Sequence, residues 1–582
     1  MRQTFFFHGF FILFFFLFIP DNRNQSFTDA DPLFRIQKKK LQALKCYPDL
    51  TQDNLLPEDA MSMIPLPDWG KHQWKISTKS DSAQFYFNQG VTMYYSFHII
   101  EALASFKKAR TIDSTSAMCW WGEALSYGPN INDVEYAAAP DALFAAQKAS
   151  VLSTAASARE KGLINAMMVR YTNDTSVSRA DLNNRYLNSM KSLYKQFPND
   201  AEVGTLYADA IMLVHPWDLY DDQSLPKPWT PELTGVLEKM IKLNPNHPGA
   251  NHYYIHAVEA SLNPEKANHS ATVLPRITPK VSHTVHMPSH IYIRTGDFEK
   301  GMQVNIAANK SYSEYLGLMP EVVNNAFLYQ LHNVHMQANC AMMFGDAQLS
   351  AETAAGCRSD IPVEYLSWDA PFGEYIQYMY MTPAFDLIRY GKWNDILQMA
   401  EIPDSLAYAK IIFHFSRGTA FARQQQTLSA KQELTKMQQI LENTPKLKIK
   451  MGAFNSAYDA GKVAENMLSG FIAESENQYM KAAELLTMAV DSETKLVYNE
   501  PRDWILPARA YLGNVLLKDK KFADAERVFR KDLVIHPGNG WSTIGLSKAL
   551  EGQGKSAAAK TVLTKAKLDV QNKNFNPAGP VF

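Results

Sequence analysis

Small apolar residues recur along this chain at separations that let helices pack closely in pairs. Gly90 is followed by Ala102, Phe106 and Ala109: a small residue, then a second small one, then a large ring and a third small one. The same order returns at Gly470, Ala482, Leu486 and Ala489, and again at Gly513, Ala525 and Phe529, with Pro537 closing the unit. Trp120, Ala124 and Tyr127 continue the first register, and Trp541, Ile544, Gly545 and Ala557 continue the last. Spacings of three and four residues place these positions on one helix face. The small ones let two helices of a pair approach, and the large ones fill the gap to the next pair. The pattern predicts an all-α solenoid of antiparallel helix pairs whose first helices line a concave face. Tyr292 with Gly296-Asp297-Phe298, and Gly391-Lys392-Trp393, read as degenerate copies.

The pattern also divides the chain. Residues 1–20 hold an apolar run from Phe5 to Ile19 ended by Pro20-Asp21, which reads as an export signal. As a helix it would rise roughly 22 Å against a hydrocarbon core of ~30 Å, too short for a stable span. No other stretch is apolar enough to cross a bilayer, so the mature chain is expected to carry no transmembrane span and to reside in the periplasm or cell envelope, or to be secreted. Residues 21–78, with Pro57, Pro65 and Pro67, read as an extended segment lying on the repeats. Repeat-like helices follow over 79–240, His-rich repeats over 241–365, and degenerate helical repeats over 366–505. Regular repeats occupy 506–572, and a tail 573–582.

At this spacing the chain resembles a tetratricopeptide-repeat protein over most of residues 80–570. The segments HPGANHYYIHAVEAS from His247, HMPSHIYIRTGDFEKG from His286, and YNEPRDW from Tyr498 with NGWSTIGL from Asn539 are similar to a family of large bacterial tetratricopeptide proteins. That resemblance implies a fold and a shared site; the family has no assigned reaction, so no catalytic residue carries over and the catalytic residues are unknown.

The chemistry is concentrated in histidine. The chain has 15, and nine stand between His247 and His335. His252 and His256 are one helical turn apart with Glu259 three further on, so one face would carry two imidazoles and a carboxylate. His286 with His290, and His332 with His335, are further candidates. Pro288 in a first helical turn would leave His286 outside the helix, so His286 and His290 need not share a face, whereas the spacing of His332 and His335 puts both on one side. If neighbouring repeats stack, imidazoles from three units converge on the inner wall as a transition-metal site for zinc, copper or iron. His98, His215, His269, His414 and His536 have no partner in sequence and read as structural, and His247 as part of an inter-repeat turn. A lone helical histidine is more often a hydrogen-bonded residue than a ligand, so coincidence weighs nearly as much as a joint site.

A second signal is an insertion. Gly470 to Gly513 spans 43 residues where the repeat has about 34, and the excess matches 496–504, with Tyr498, Glu500, Arg502, Asp503 and Trp504. Two carboxylates, a guanidinium and two aromatics suit a small polar ligand, with Trp217 beside the groove; an ion-paired loop capping the helix near Pro507 fits equally. Tyr253 stands where an H-E-x-x-H peptidase has its base, and Ala549 where the phosphate loop ending Gly554-Lys555-Ser556 would need its first glycine.

Composition narrows the function. A net charge of −1 with 20% charged residues offers no basic excess for nucleic acid. Cys46, Cys119, Cys340 and Cys357 form no C-x-x-C pair; either Cys340 and Cys357 form a disulfide or all four are idle thiols. The reading that follows is an exported tetratricopeptide-type binding or accessory protein with a His-rich metal site, the metal either structural or supporting an unidentified reaction. The alternatives are a metal-free scaffold holding a peptide or protein segment in its groove, and an envelope accessory to polysaccharide utilisation.

Overall fold

The computed structural model describes residues 63–131, 140–221, 223–318, 326–450, 454–569 and 579–582. The apolar run 5–19, Cys46 and most of the 21–78 and 573–582 segments lie outside the described residues. Among the described residues the chain is helical, with no strand beyond two isolated bridges, Tyr220 to Pro226 and Lys450 to Ser456. No described helix is long and apolar enough to cross a membrane. Local chemistry sets the helix starts: Ser157 with Glu160, and Ser456 with Asp459, form capping boxes, and the Asp200 side chain accepts from Glu202 N and Val203 N.

Successive helices pack side by side, and their contacts are those the small–large order requires. The Phe106 ring lies between Gly90 and Gly122, where added Cβ atoms would stand 2.8 and 2.3 Å from it. Phe529 lies between Gly513 and Gly545 in the same way, at 2.4 and 2.3 Å. One large ring thus closes its own pair and seats the next, so each pair buries apolar surface on its neighbours. Two long apolar cores result, one from Met63 to Tyr315 and one from Leu331 to Ala559, with a small cluster around Phe298 and Phe344 between them.

The described part of the N-terminal segment, Met63 to Ser80, lies against the first helices. Leu66 N donates to Gln89 Oε1 (2.8 Å), Trp74 N to Asn88 Oδ1 (3.1 Å), and Trp69 and Trp74 are buried. The array then coils until its C-terminal repeats meet its middle. At Gly296 (φ +84°) an added Cβ would stand 2.3 Å from Pro537 O, and Trp541 Nε1 donates to Met342 O at 3.3 Å. Only glycine fits a left-handed backbone at so close an approach. This closure carries the 496–504 loop onto the His-rich helices. Cys119, Cys340 and Cys357 are free and buried, so of the two alternatives the Cys340–Cys357 disulfide is not formed.

Gly122 and Gly235 separate packing from helix propensity. Gly122→Ala should lower the thermal midpoint, by about 1–3 kcal/mol of stability, because the Phe106 ring has no room to yield. Gly235, on the exposed face of the Thr230–Leu243 helix with nothing within 4 Å, should accept alanine with a gain of about 0.5–1 kcal/mol. Equal midpoints for the two variants in calorimetric scans would contradict the packing account.

Candidate metal centre

The Pro248–Val258 helix begins where the His247 side chain accepts from Ala250 N and Pro248 takes the first helical position. It carries His252 and His256 one turn apart, with rings 4.9 Å apart, and ends at Glu259. In the next two elements, Ser282–His286 and Pro288–Thr295, Pro288 stands in a first helical turn with His286 outside that helix, as expected. Met287 between them nevertheless keeps helical angles (φ −47°, ψ −36°), so the two helices follow one another almost without a break. His286 and His290 therefore do share a face, Nε2 to Nε2 2.7 Å. His332, on the Ala326–Phe344 helix, brings its ring within 4.7 Å of His286 and 5.6 Å of His290.

Two residues depart from expectation. His335 does not join His332: the angular offset of three helical residues turns it onto Tyr378 (5.3 Å), where neither ring nitrogen has a partner. His283, not singled out in the sequence, does join, with its Nε2 3.1 Å from His252 Nε2. Its position three residues before His286 on a helix was the available signal. Six imidazoles thus form two adjoining triads, His252–His256–His283 and His286–His290–His332, bridged where His256 and His290 come within 5.5 Å. Phe97 packs over the first triad, 4.5 Å from His252 and near-parallel to His256 and His283, and holds φ +58°, a conformation rare for a bulky residue.

Hydrogen bonds decide which nitrogens face inward. His252 Nδ1 meets Tyr95 O at 2.6 Å, a carbonyl that only accepts, so Nδ1 carries the hydrogen. His286 Nδ1 donates likewise to Asn305 Oδ1 (2.6 Å), whose amide is engaged with Gly301 O. Glu259 takes both His256 Nδ1 (2.9 Å) and His290 Nδ1 (2.5 Å), and Glu500 Oε2 stands 3.2 Å from the latter. Four rings are thereby oriented by outer acceptors with their Nε2 atoms inward, as metal-binding imidazoles are. His256 Nε2 and His283 Nδ1 are buried with no partner.

Burial holds the imidazoles neutral. It pushes His256 and His332 down to about 3 and His252, His283 and His286 well below the usual histidine range, neighbouring imidazoles adding to the effect. His290 differs: burial opposes its charge, but Glu500 and Glu259 outweigh it and hold the ring at about 10. The hydrogen bonds agree: His290 Nδ1 donates to Glu259, and its Nε2 donates to His286 Nε2, whose own hydrogen is on Nδ1. Neutral imidazoles with carboxylates held as outer partners suit zinc, copper, iron or nickel and not magnesium or calcium.

The inserted loop divides. Glu500 reaches the triads, and Tyr498 lies under the Arg294 guanidinium (5.1 Å), which is fixed by Glu259 O and Ser261 O. Trp504 does not face a ligand: it is buried between Phe385 and Phe415, because an indole at this bend completes the second apolar core. Asp503 turns the other way, bonded to Asn455 and Asn499. The loop thus lacks the indole that a sugar-stacking surface would have used. Trp217 (φ +57°) stands edge-on to His256 at 5.0 Å and 5.8 Å from Phe454. Between these residues opens a cleft of about 570 Å³, reaching His256, Glu259 and Glu500 at its inner end. Arg502 lines it, and burial, then the charge of Arg294, holds its guanidinium down at about 10.

Another histidine pair serves structure. His72 Nε2 and His247 Nε2 approach Glu202 at 2.8 and 3.3 Å. His247 spends its Nδ1 lone pair as the helix cap, so Nε2 carries the hydrogen and offers Glu202 a donor, not a metal a ligand.

Fold and site together define an all-helical repeat protein with a polyhistidine inner wall. No protein-family model matches the chain, and no curated protein matches it. Solved structures similar to it include a human IFIT1 dimer with m7Gppp-AAAA, at 12% identity over 92% of this chain and 100% of that one, TM-score 0.31. Yeast Tom70 is similar at 11% identity over 84% and 85% of the two chains, TM-score 0.26, and the Cut9–Hcn1 hetero-tetramer of the APC/C at 11% over 85% and 95%, TM-score 0.28. At such scores the likeness carries no argument, and the repeat architecture rests on the glycine–ring contacts described above.

His335 isolates the effect of burial on one imidazole. Burial alone lowers it to about 3, against about 6.5 unfolded. Below pH 6.5 the unfolded chain takes up a proton that the native state refuses, so stability falls as pH drops toward 3. His335→Leu removes this contribution. Its unfolding midpoint should therefore gain on that of the native chain between pH 7 and pH 4, at up to about 1.4 kcal/mol per pH unit. Parallel pH profiles would show that His335 is not buried neutral.

Proposed function

We propose that this is an exported tetratricopeptide-type protein whose central repeats hold a transition-metal centre of two adjoining three-imidazole sites, serving a small-ligand cleft. The observation that carries the reading is the orientation of four rings. The Nδ1 atoms of His252, His256, His286 and His290 are each tied to an acceptor, which turns their Nε2 atoms inward. Ring nitrogens that approach at 2.7 Å (His286 to His290) and 3.1 Å (His252 to His283) repel unless a proton or a metal ion lies between them. Burying this many neutral imidazoles costs stability that a bound metal returns. The apolar run 5–19 and the resemblance to large bacterial tetratricopeptide proteins support export.

A peptide-holding scaffold is the second reading. It is favoured less, because the cleft that reaches the triads, about 570 Å³, suits a small molecule better than a peptide helix.

Plasma mass spectrometry of the untagged protein, purified without chelator, should find about two transition-metal ions per chain. His252→Ala/His290→Ala, which takes one ligand from each triad, should lose most of them while keeping the helical circular-dichroism signal. A native chain that takes up none of zinc, copper, iron or nickel on reloading would overturn the proposal and leave the scaffold.

A further inference from the structure

The cleft beside the triads is lined by four cations, Arg294, Arg502, Arg509 and Lys531, and four carboxylates, Asp221, Glu259, Glu493 and Glu500. Three of the carboxylates are committed: Glu259 to His256 and His290, Glu500 to His290, and Asp221 to the backbone of its own turn through Gln223 N and Leu225 N, while Glu493 accepts from Ala508 N through one oxygen only. Arg509 is partnered by Thr494 and lies 4.0 Å from Glu493. Arg294 donates only to backbone carbonyls, which leaves its charge uncompensated. Arg502 engages through its backbone, whose carbonyl accepts from Tyr378, and its guanidinium lines the cleft with no carboxylate in ion-pair contact among the described residues, Glu493 acting on it at longer range. The Tyr498 hydroxyl on the same wall is buried without a hydrogen-bond partner. A buried donor left unmade costs about 1–3 kcal/mol, and two guanidiniums beside it define an anion subsite. Trp217, Tyr220 and Phe454 add three aromatic rings to a lining that is otherwise largely aliphatic.

We propose that this cleft binds a small aromatic carboxylate, its carboxylate held by Arg294, Arg502 and the Tyr498 hydroxyl, its ring against Trp217 and Tyr220, and its far edge presented to the imidazoles at His256. A single negative charge matches the subsite, since a phosphate dianion would face Glu259, Glu493 and Glu500 on the same wall. The inference names the ligand class of the proposed metal centre and so rests on that reading, although none of the three anion-binding groups is a metal ligand.

Titration calorimetry with benzoate on the full chain, both metal-loaded and chelator-stripped, tests it, with metal content measured on the same samples. Benzoate should bind with a Kd below about 1 mM, and phenol and inorganic phosphate at least about tenfold more weakly. Arg502→Met should weaken benzoate about tenfold or more, as expected for loss of a hydrogen bond to a charged group, and Tyr498→Phe, which removes one oxygen, about threefold to tenfold. Tight phosphate binding with weak benzoate binding would overturn the ligand class. Metal-loaded protein that does not bind benzoate, or both variants binding as the native chain does, would overturn the site while leaving the metal centre standing. Benzoate binding in protein that takes up no metal would keep the subsite and remove the metal centre.

Discussion

Glu259 is the carboxylate on which the centre of this molecule is organised. It receives His256 from its own helix and His290 from the next repeat unit, at 2.9 and 2.5 Å, and its backbone carbonyl accepts from Arg294. One residue at a helix end thus fixes two imidazole orientations, joins two repeat units and places a guanidinium at the cleft. Buried charge of this kind is costly unless every acceptor position is used. Here the carboxylate oxygens are used on imidazoles, and Glu500 arrives from a loop about 240 residues later in the sequence to share His290.

That long-range contact depends on the coil of the array. Each helix pair transmits a small rotation to the next through rings such as Phe106 and Phe529, set between glycines that leave no slack. The accumulated rotation brings the Gly296 turn against the Pro537–Gly538 turn, and with it the 496–504 loop over the histidines. Packing at the outer repeats therefore sets the geometry of a site built in the middle. A change at Gly545 or Gly296 is expected to act on the triads without touching a ligand, since neither residue lies near an imidazole.

The repeat register was legible because it is local. The order small, small, large, small within one unit is a property of adjacent helices, and the regular units could be aligned by eye. The pairs within the histidine site were partly legible for the same reason: His252 and His256 share a face by helical geometry alone. What the sequence did not show came from two sources. The path through Pro288 depended on whether Met287 stayed helical, and tertiary packing, not the proline, decided it. The separation of His335 from His332 depended on which neighbours each met, His286 and His290 for one and Tyr378 for the other. His283 was hidden because a third histidine beside an obvious pair adds no periodic signal. Trp504 was misread because an inserted loop is usually taken as surface, and this one turns its indole into the second core.

The two halves of the site answer to different physical demands. Five of the six triad rings are buried, and burial keeps every triad ring but His290 neutral, with four of the rings oriented from behind by outer acceptors. The cleft is open and lined by charges of both signs, and the Tyr498 hydroxyl in its lining has no hydrogen-bond partner. The two meet at His256, whose Nδ1 is bound to Glu259, whose Nε2 has no partner, and whose ring edge lies under Trp217. An imidazole oriented by a buried carboxylate and reached from an anion-binding cleft can pass a ligand's position directly to a metal. The helix phase set by His247 and Pro248 at the start of this element is therefore what joins the binding surface to the chemistry.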